Sequence, residues 1–282
     1  MTIAVTAANG QLSSQIIKAL QANDPKKTVI GLARSPAKAR NLGIEIRPGD
    51  YDDRAALESS LTGVDAVLLL SGNGPPEPRV EQHRNVIAAA KANGVRRIVY
   101  TSVQGADTGT SFSPVIQSNR QTEADIRESG LDWVIGRNWI YIEPDLEYLE
   151  TYRKKGEIAN SAGDGQCGYT TRQELAQAYA SMLTGPQHSG QTYFLHGAFL
   201  TQAELVAHMN RAFGTALVYR PMSVAAYRDD RIGELGEMMG TIIAGIYEGI
   251  RGGVYSQDSD FEKAAGRPHQ SWDDYFGAFF TA

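Results

Sequence analysis

Short runs of β-branched and aliphatic residues recur along the first half of the chain, separated by stretches long enough for helices. Ile3 to Thr6, Thr28 to Ala33, Ile44 to Arg47, Ala66 to Leu70, Arg97 to Ser102 and Trp133 to Arg137 read as strands. They are nearly continuous in apolar character, as strands buried on both faces of a parallel sheet are. Between them, Leu12 to Ala22, Asp53 to Ser60, Val80 to Asn93 and Thr122 to Ser129 read as helices. Asp53 is a suitable N-cap and Gly94 a suitable stop.

This alternation predicts an α/β fold, a Rossmann-type doubly wound parallel sheet whose ligand lies beyond the carboxyl ends of the strands. After about residue 150 the rhythm loosens. Asn160 to Tyr169 is a glycine-rich loop, Arg172 to Leu183 is helical, and a strand near 191–196 is expected to return to the sheet. Thr201 caps a further helix, "ALVYRP" is a short strand, and Met238 to Ile250 is an apolar, pocket-lining helix. The expected division is a dinucleotide-binding domain over 1–150 and a smaller, mostly helical substrate-binding cap over 151–282.

Composition narrows the ligand. Of 282 residues, 27 are Lys or Arg and 32 Asp or Glu, and a net charge of -5 disfavours general binding to nucleic acid or anionic lipid. Met238 to Ile250 is too short and, with Glu248, too polar for a membrane span. No secretory signal is visible, so a cytoplasmic location is expected. The single cysteine, Cys167, excludes an internal disulfide, and the five histidines lack metal-ligand spacing, so no metal is expected.

The candidate chemistry begins in the first turn. "TAANGQLS" joins the first strand to the first helix, with Gly10 where a backbone must approach a pyrophosphate and the amides of Gln11 and Leu12 at a helix N-terminus. Against G-x-x-G-x-x-G, Ala7 stands at the first glycine and Ser13 at the third. If the first position needs positive φ, Ala7 costs roughly 1 kcal/mol or more. Beyond the second strand there is no acid from Lys27 to Ile44. Arg34, Lys38 and Arg40 stand there instead, a group suited to a 2′-phosphate and therefore to NADP(H). The ends of later strands add Asp50 and Tyr51 beside an adenine, Ser71 and Gly72 against ribose and pyrophosphate, and Thr101 and Ser102.

Together, "MTIAVTAANGQL", "GLARSPAKA", "GDYDD", "QHRNVIAAAKANGVRRIVYTS", "TEADIRESGLDWVIGRNWIY" and "AGDG" resemble the NmrA-like branch of the atypical short-chain dehydrogenases. Within it, the chain is similar to the NAD(P)H-dependent quinone oxidoreductases and triphenylmethane dye reductases. The family's opening reads T-G-A-T-G-Q-L-G, so Ala7, Asn9 and Ser13 depart from it, while Thr6, Gly10, Gln11, Leu12 and Arg34 match its cofactor positions. Asn9 falls within the same loop and is expected at the cofactor.

None of the 13 tyrosines has Lys four residues later, so the Tyr-x-x-x-Lys machinery of alcohol oxidation is missing. A quinone or dye can accept a hydride without an obligate protein acid, provided it lies face to face with the nicotinamide. The resemblance puts "RNWIY" beside nicotinamide and acceptor, with Asn138 able to bond the carboxamide and Trp139 and Tyr141 able to stack on a planar substrate. The same aromatics would equally serve as core joining two domains. Asn119 and Tyr141 are the catalytic candidates and Gln82 a further substrate-binding one. His83 has the character of a structural residue, and Asn119 stands near a position where these reductases often carry His. The expected activity is NADPH-dependent hydride transfer to a small planar acceptor, in a chain that could form a homodimer. The alternative is a non-catalytic NADP(H)-sensing regulatory protein.

Overall fold

The computed structural model describes residues 1–72 and 74–281, with the side chains of Arg40, Phe280 and Thr281 outside the described set. The strands are β1 (Thr2–Val5), β2 (Thr28–Ala33), β3 (Glu45–Pro48), β4 (Ala66–Leu70), β5 (Arg97–Val103), β6 (Asp132–Asn138), β7 (Glu157–Asn160), β8 (Gln191–Leu195) and β9 (Val218–Pro221). The α-helices are α1 (Gln11–Asn23), α2 (Arg54–Ser60), α3 (Pro76–Ala92), α4 (Ser113–Glu128), α5 (Glu143–Glu147), α6 (Leu149–Lys155), α7 (Arg172–Thr184), α8 (Gln202–Phe213), α9 (Val224–Leu235), α10 (Glu237–Arg251), α11 (Phe261–Ala265) and α12 (Trp272–Gly277).

Seven strands form one parallel sheet in the order β3-β2-β1-β4-β5-β6-β8, and β7 pairs with β9 in a second, two-stranded sheet. The large sheet is the Rossmann-type doubly wound arrangement that the apolar runs predict. Successive side chains point to opposite faces. Ile3 and Val5 therefore pack with Ile16, Leu20, Tyr179 and Phe261 on one side. Ala4 packs with Leu57, Val86 and Ile126 on the other. A third core around Trp139, Ile158, Tyr169, Met209 and Trp272 belongs to the later part of the chain. The return of β8 beside β6 carries this later part back onto the sheet.

Capping accounts for several boundaries. Asp53 accepts from the Ala56 amide at 2.9 Å and Thr171 from that of Glu174 at 3.0 Å. Thr201 and Glu204 form a reciprocal capping box at the start of α8. Two helices start earlier than their apolar pattern predicts. α3 begins at Pro76 instead of Val80, because a proline in the first turn lacks only an N–H that has no helical partner anyway. α4 begins at Ser113 instead of Thr122, because its inward face mixes Val115 and Ile116 with small polar residues, Ser113, Ser118, Asn119 and Thr122, all buried. Hydrophobic periodicity registers such a face only weakly. Beyond β2, Pro36–Leu42 is a 3-10 helix. No described helix is long and apolar enough to cross a membrane.

α4 is fixed to the sheet by charge. Glu123 is fully buried and accepts from Arg137 at 2.9 and 2.7 Å, from Arg120 at 2.8 Å and from the Ser102 hydroxyl at 2.6 Å. Burial alone would raise its pKa, but the Arg137 bonds, the Arg120 charge and the Ser102 bond outweigh it and hold the carboxyl below the usual glutamate value. A depressed folded pKa stabilises the fold above the unfolded value and loses that contribution as pH falls. Glu123→Gln should therefore destabilise the protein by about 3–5 kcal/mol at neutral pH, since it strands buried guanidinium groups. Urea unfolding checks this, and the difference from wild type should begin to shrink as pH falls below the ordinary glutamate pKa of about 4.3 and should vanish only below the lowered folded value, where the buried carboxyl too is neutral.

Candidate functional site

A cavity of about 820 Å³ opens at the carboxyl ends of the central strands and runs into the later part of the chain. Gly10, Gln11 and Leu12 line one end, Ser71, Gly72, Thr101 and Asn119 the middle, and Asn138, Trp139 and Tyr141 the passage beyond.

The loop after β1 has the strained geometry that its glycine-poor sequence implies. Ala7 has φ +48°, the positive-φ conformation that glycine adopts without steric penalty, and no other described non-glycine residue shares it. Ala8 donates its amide to Leu32 at 2.9 Å and seats the loop on β2, where a Cβ on Gly31 would lie 2.8 Å from Ala8 Cβ. Ser13, fully buried, donates to the Thr6 carbonyl at 3.0 Å. Gly10 begins α1 with no side-chain cap, and the first turn carries no acid. The unpaired amides of this 13-residue helix therefore face the cavity with the positive end of its dipole.

Thr6 acts beneath the loop and not in the cavity. It is fully buried, and its hydroxyl bonds Tyr51 and accepts from the Leu70 amide at 2.9 Å. The Tyr51 hydroxyl in turn donates to the Leu70 carbonyl at 2.9 Å, so these two residues tie together the ends of β1, β3 and β4. Asp50 is half-buried and accepts from the Asp52 amide at 3.2 Å, while Asn9 and Gln11 are exposed. Arg34 is exposed in the bend that follows β2, and Lys38 is exposed on the 3-10 segment after it, which has no acid in its first turn. The side chain of Arg40 lies outside the described residues.

Arg79 is a site residue that no periodicity or motif singled out. It lines the cavity at 4% exposure, donates from Nη2 to Gly74 O at 2.7 Å, and its Nε has no partner. Burial lowers its pKa, and among the described residues no carboxylate pairs with it. A buried cation with an unmet donor, lining the same cavity as an uncapped helix N-terminus, suits an anion such as a phosphate. The residues present therefore fit a dinucleotide: α1 and Arg79 for the pyrophosphate, Arg34 and Lys38 for a 2′-phosphate.

The middle of the cavity is a polar network. The Ser71 amide donates to Thr101 Oγ1 at 2.8 Å, and the Ser71 hydroxyl to Asn119 Oδ1 at 3.2 Å. Asn119 Oδ1 also accepts from the Tyr100 hydroxyl at 2.7 Å, and its Nδ2 donates to Val115 O at 2.8 Å. Asn119 and Glu123 have the i,i+4 spacing of the missing Tyr-Lys pair, but present an amide and an acid neutralised by arginines. His83 accepts from the Gly72 amide at 3.4 Å through Nε2 and leaves Nδ1 to donate to Thr122 at 2.9 Å. Burial, aided by the Arg79 charge, pushes its pKa down to about 3, so it stays neutral.

At the passage, Asn138 is held by the Tyr179 hydroxyl, which donates to Oδ1 at 2.6 Å, and its Nδ2 donates to Tyr141 at 3.3 Å. Trp139 packs on Tyr255 with centroids 3.7 Å apart, and its Nε1 has no partner. It belongs to the third core and also lines the cavity. Tyr141 lies under Arg172, 5.5 Å from ring centroid to guanidinium carbon. Gln82 is corrected: its amide donates to both carboxylate oxygens of Asp52 at 3.0 Å, and it does not line this cavity. Cys167 is buried and its thiol pKa is raised by burial, which keeps it protonated and unreactive.

Residues 7–186 match a family model described as NAD(P)H-binding. The chain is similar to quinone oxidoreductase 2 of Escherichia coli (strain K12), at 34% identity over 94% of each chain. A solved structure of an NADPH-dependent quinone oxidoreductase of that organism, complexed with NADPH, superposes with a TM-score of 0.89 at 33% identity over 99% of each chain. The triphenylmethane reductase of Citrobacter sp. complexed with NADP(H) gives a TM-score of 0.88 at 30% identity, over 98% of this chain and 99% of that one.

Two substitutions test the loop and the buried cation. Ala7→Gly should stabilise the protein by about 1 kcal/mol, seen as a raised thermal midpoint, by removing the cost of positive φ. Arg79→Met should weaken NADPH by roughly 10-fold or more in calorimetry, the loss of one charge-assisted contact. If Arg79 serves only the fold, Arg79→Met should instead lower the midpoint of the cofactor-free protein and leave the affinity alone.

Proposed function

The chain belongs to the NAD(P)H-binding family and is an NAD(P)H-dependent oxidoreductase, and from that premise we propose that it reduces small planar electrophiles, quinone-like or dye-like, with NADPH as hydride donor. The observation that carries this reading is the cavity itself. It runs from the uncapped N-terminus of α1 to an aromatic pocket walled by Tyr148, Tyr152, Tyr227 and Tyr247, in a chain whose sequence has no Tyr-x-x-x-Lys. When bound, NADPH supplies a hydride.

The chain's residues supply position. Arg34 and Lys38 hold the 2′-phosphate, Gly10, Gln11, Leu12 and Arg79 the pyrophosphate, and Ser71, Gly72 and Thr101 the adjoining ribose. Asn138, oriented by Tyr179 and Tyr141, bonds the carboxamide and sets the nicotinamide face. Trp139 and Tyr141 then place a flat acceptor against that face, and residues 151–282 exclude water from the contact. Holding two rings in reactive geometry removes the entropic part of the barrier without a dedicated acid at the carbon that accepts the hydride. Asn119, already bonded to Tyr100, Ser71 and Val115, acts as a spacer that shapes the pocket.

Purified protein should oxidise NADPH in the presence of quinones and triphenylmethane dyes, faster than with NADH. A panel in which none is reduced above the uncatalysed rate would end this reading. Arg34→Glu should weaken NADPH by roughly 1.5–3 kcal/mol while changing NADH little, because it removes one charge-assisted contact and adds repulsion. Parallel titrations with the two cofactors measure the difference, and an unchanged preference would remove Arg34 from the site.

A further inference from the structure

Of the carboxyl groups that line the cavity, Glu157 is paired with Arg220, and Asp230 and Glu234 with Arg231, whereas Asp145 is buried in the tyrosine-walled half. Asp145 lies in α5, four residues after Tyr141, and is 5% exposed. Its Oδ1 accepts from the Tyr152 hydroxyl at 2.9 Å. Among the described residues no cation is paired with it: Arg231 is bonded to Asp230 and Glu234, each at 2.6 Å, and Arg172 reaches Glu147 at 3.4 Å. The groups that sense its charge are Tyr152 of α6, Cys167 and Tyr169 of the segment before α7, Tyr227 of α9 and Tyr247 of α10. All of these are neutral at physiological pH. Burial, opposed by hydrogen bonds from Tyr152 and Tyr169, pushes the Asp145 carboxyl up from 3.8 to about 6.

A carboxylate in an aromatic cavity with no cation beside it has one economical way to lose its charge, which is to hold a proton. A flat acceptor filling that cavity expels water and strengthens the tendency. We propose that Asp145 is the acid that protonates the acceptor's oxygen during reduction, with Tyr152 as its positioning residue. This rests on the reductase reading given above.

The step balances. The acceptor gains the hydride and its electron pair, and the charge resides on its oxygen. The O–H bond of Asp145 breaks as an O–H bond forms on the acceptor. Asp145 is left as the carboxylate, with the Tyr152 hydroxyl still donating to it, and regains a proton from solvent. In sum NADPH, one proton and the acceptor give NADP+ and the dihydro product.

The experiment is the pH profile of kcat with NADPH and 1,4-naphthoquinone for wild type, Asp145→Asn and Tyr152→Phe. Wild type should lose rate as pH rises through the ionisation of Asp145. Asp145→Asn should lower kcat at acidic pH by about 100-fold, the lower end of what a positioned acid supplies, and abolish that limb. Asn keeps an acceptor for Tyr152 and removes a buried charge, so unchanged NADPH affinity in calorimetry shows that the variant is folded. Tyr152→Phe should keep the limb but move it to higher pH, because the lost bond favoured the charged form. A wild type that turns over, with Asp145→Asn matching its rate and limb, overturns the role of Asp145 alone. A wild type inactive at every pH overturns the quinone reading and this inference with it.

Discussion

The reversal of strand order between β1 and β4 is the constraint on which the rest of the structure depends. Both strands are parallel and buried on both faces, so connections leaving them must depart to opposite sides of the sheet. A crevice is left at their carboxyl ends, where the chain leaves the strands. The uncapped start of α1, the loop after β4 and the polar end of β5 meet in that crevice for this reason. The hydrogen bonds joining Thr6, Tyr51 and Leu70 keep its rim closed from below.

Charge is handled differently on the two sides of α4. On the sheet side, Glu123 gathers Arg120 and Arg137 into a buried cluster in which guanidinium groups and a serine hydroxyl answer the carboxylate. On the cavity side, among the described residues, Arg79 has no paired carboxylate, and Asp145 farther along has no paired cation. Unanswered charges of this kind are costly in a finished core and useful in a binding cavity, where an incoming phosphate or acceptor completes them. The sequence has no Tyr-x-x-x-Lys, yet the cavity is rich in polar groups, Thr101, Asn119 and Asn138 among them.

The later part of the chain is tied to the sheet in two ways. β8 extends the sheet beside β6, and α7 and α11 pack on the same face as α1. Its remaining helices build a separate core around Trp139 and Tyr169, and α9 and α10 add Tyr227, Ile243 and Tyr247 to the cavity wall. One half of the cavity thus stands on the sheet, while the other is built from helices of the later part of the chain.

The parallel strands, the loop with Ala7 at positive φ, the absence of an acid after β2 and the caps at Asp53 and Thr201 were all legible along the chain, because each is a local matter of periodicity, turn conformation or spacing. The first nine residues of α4 were not, since their buried face mixes Val115 and Ile116 with Ser113, Ser118 and Asn119 and gives only a weak apolar period. Gln82 was placed at the substrate although its amide meets Asp52, which lies 30 residues away in the chain. Arg79 and Asp145 are ordinary charged residues in sequence. Only folding decides that one lines the same cavity as a helix N-terminus without a paired counter-ion and the other lies among tyrosines, because burial and charge pairing are set by contacts between distant segments and not by neighbours along the chain.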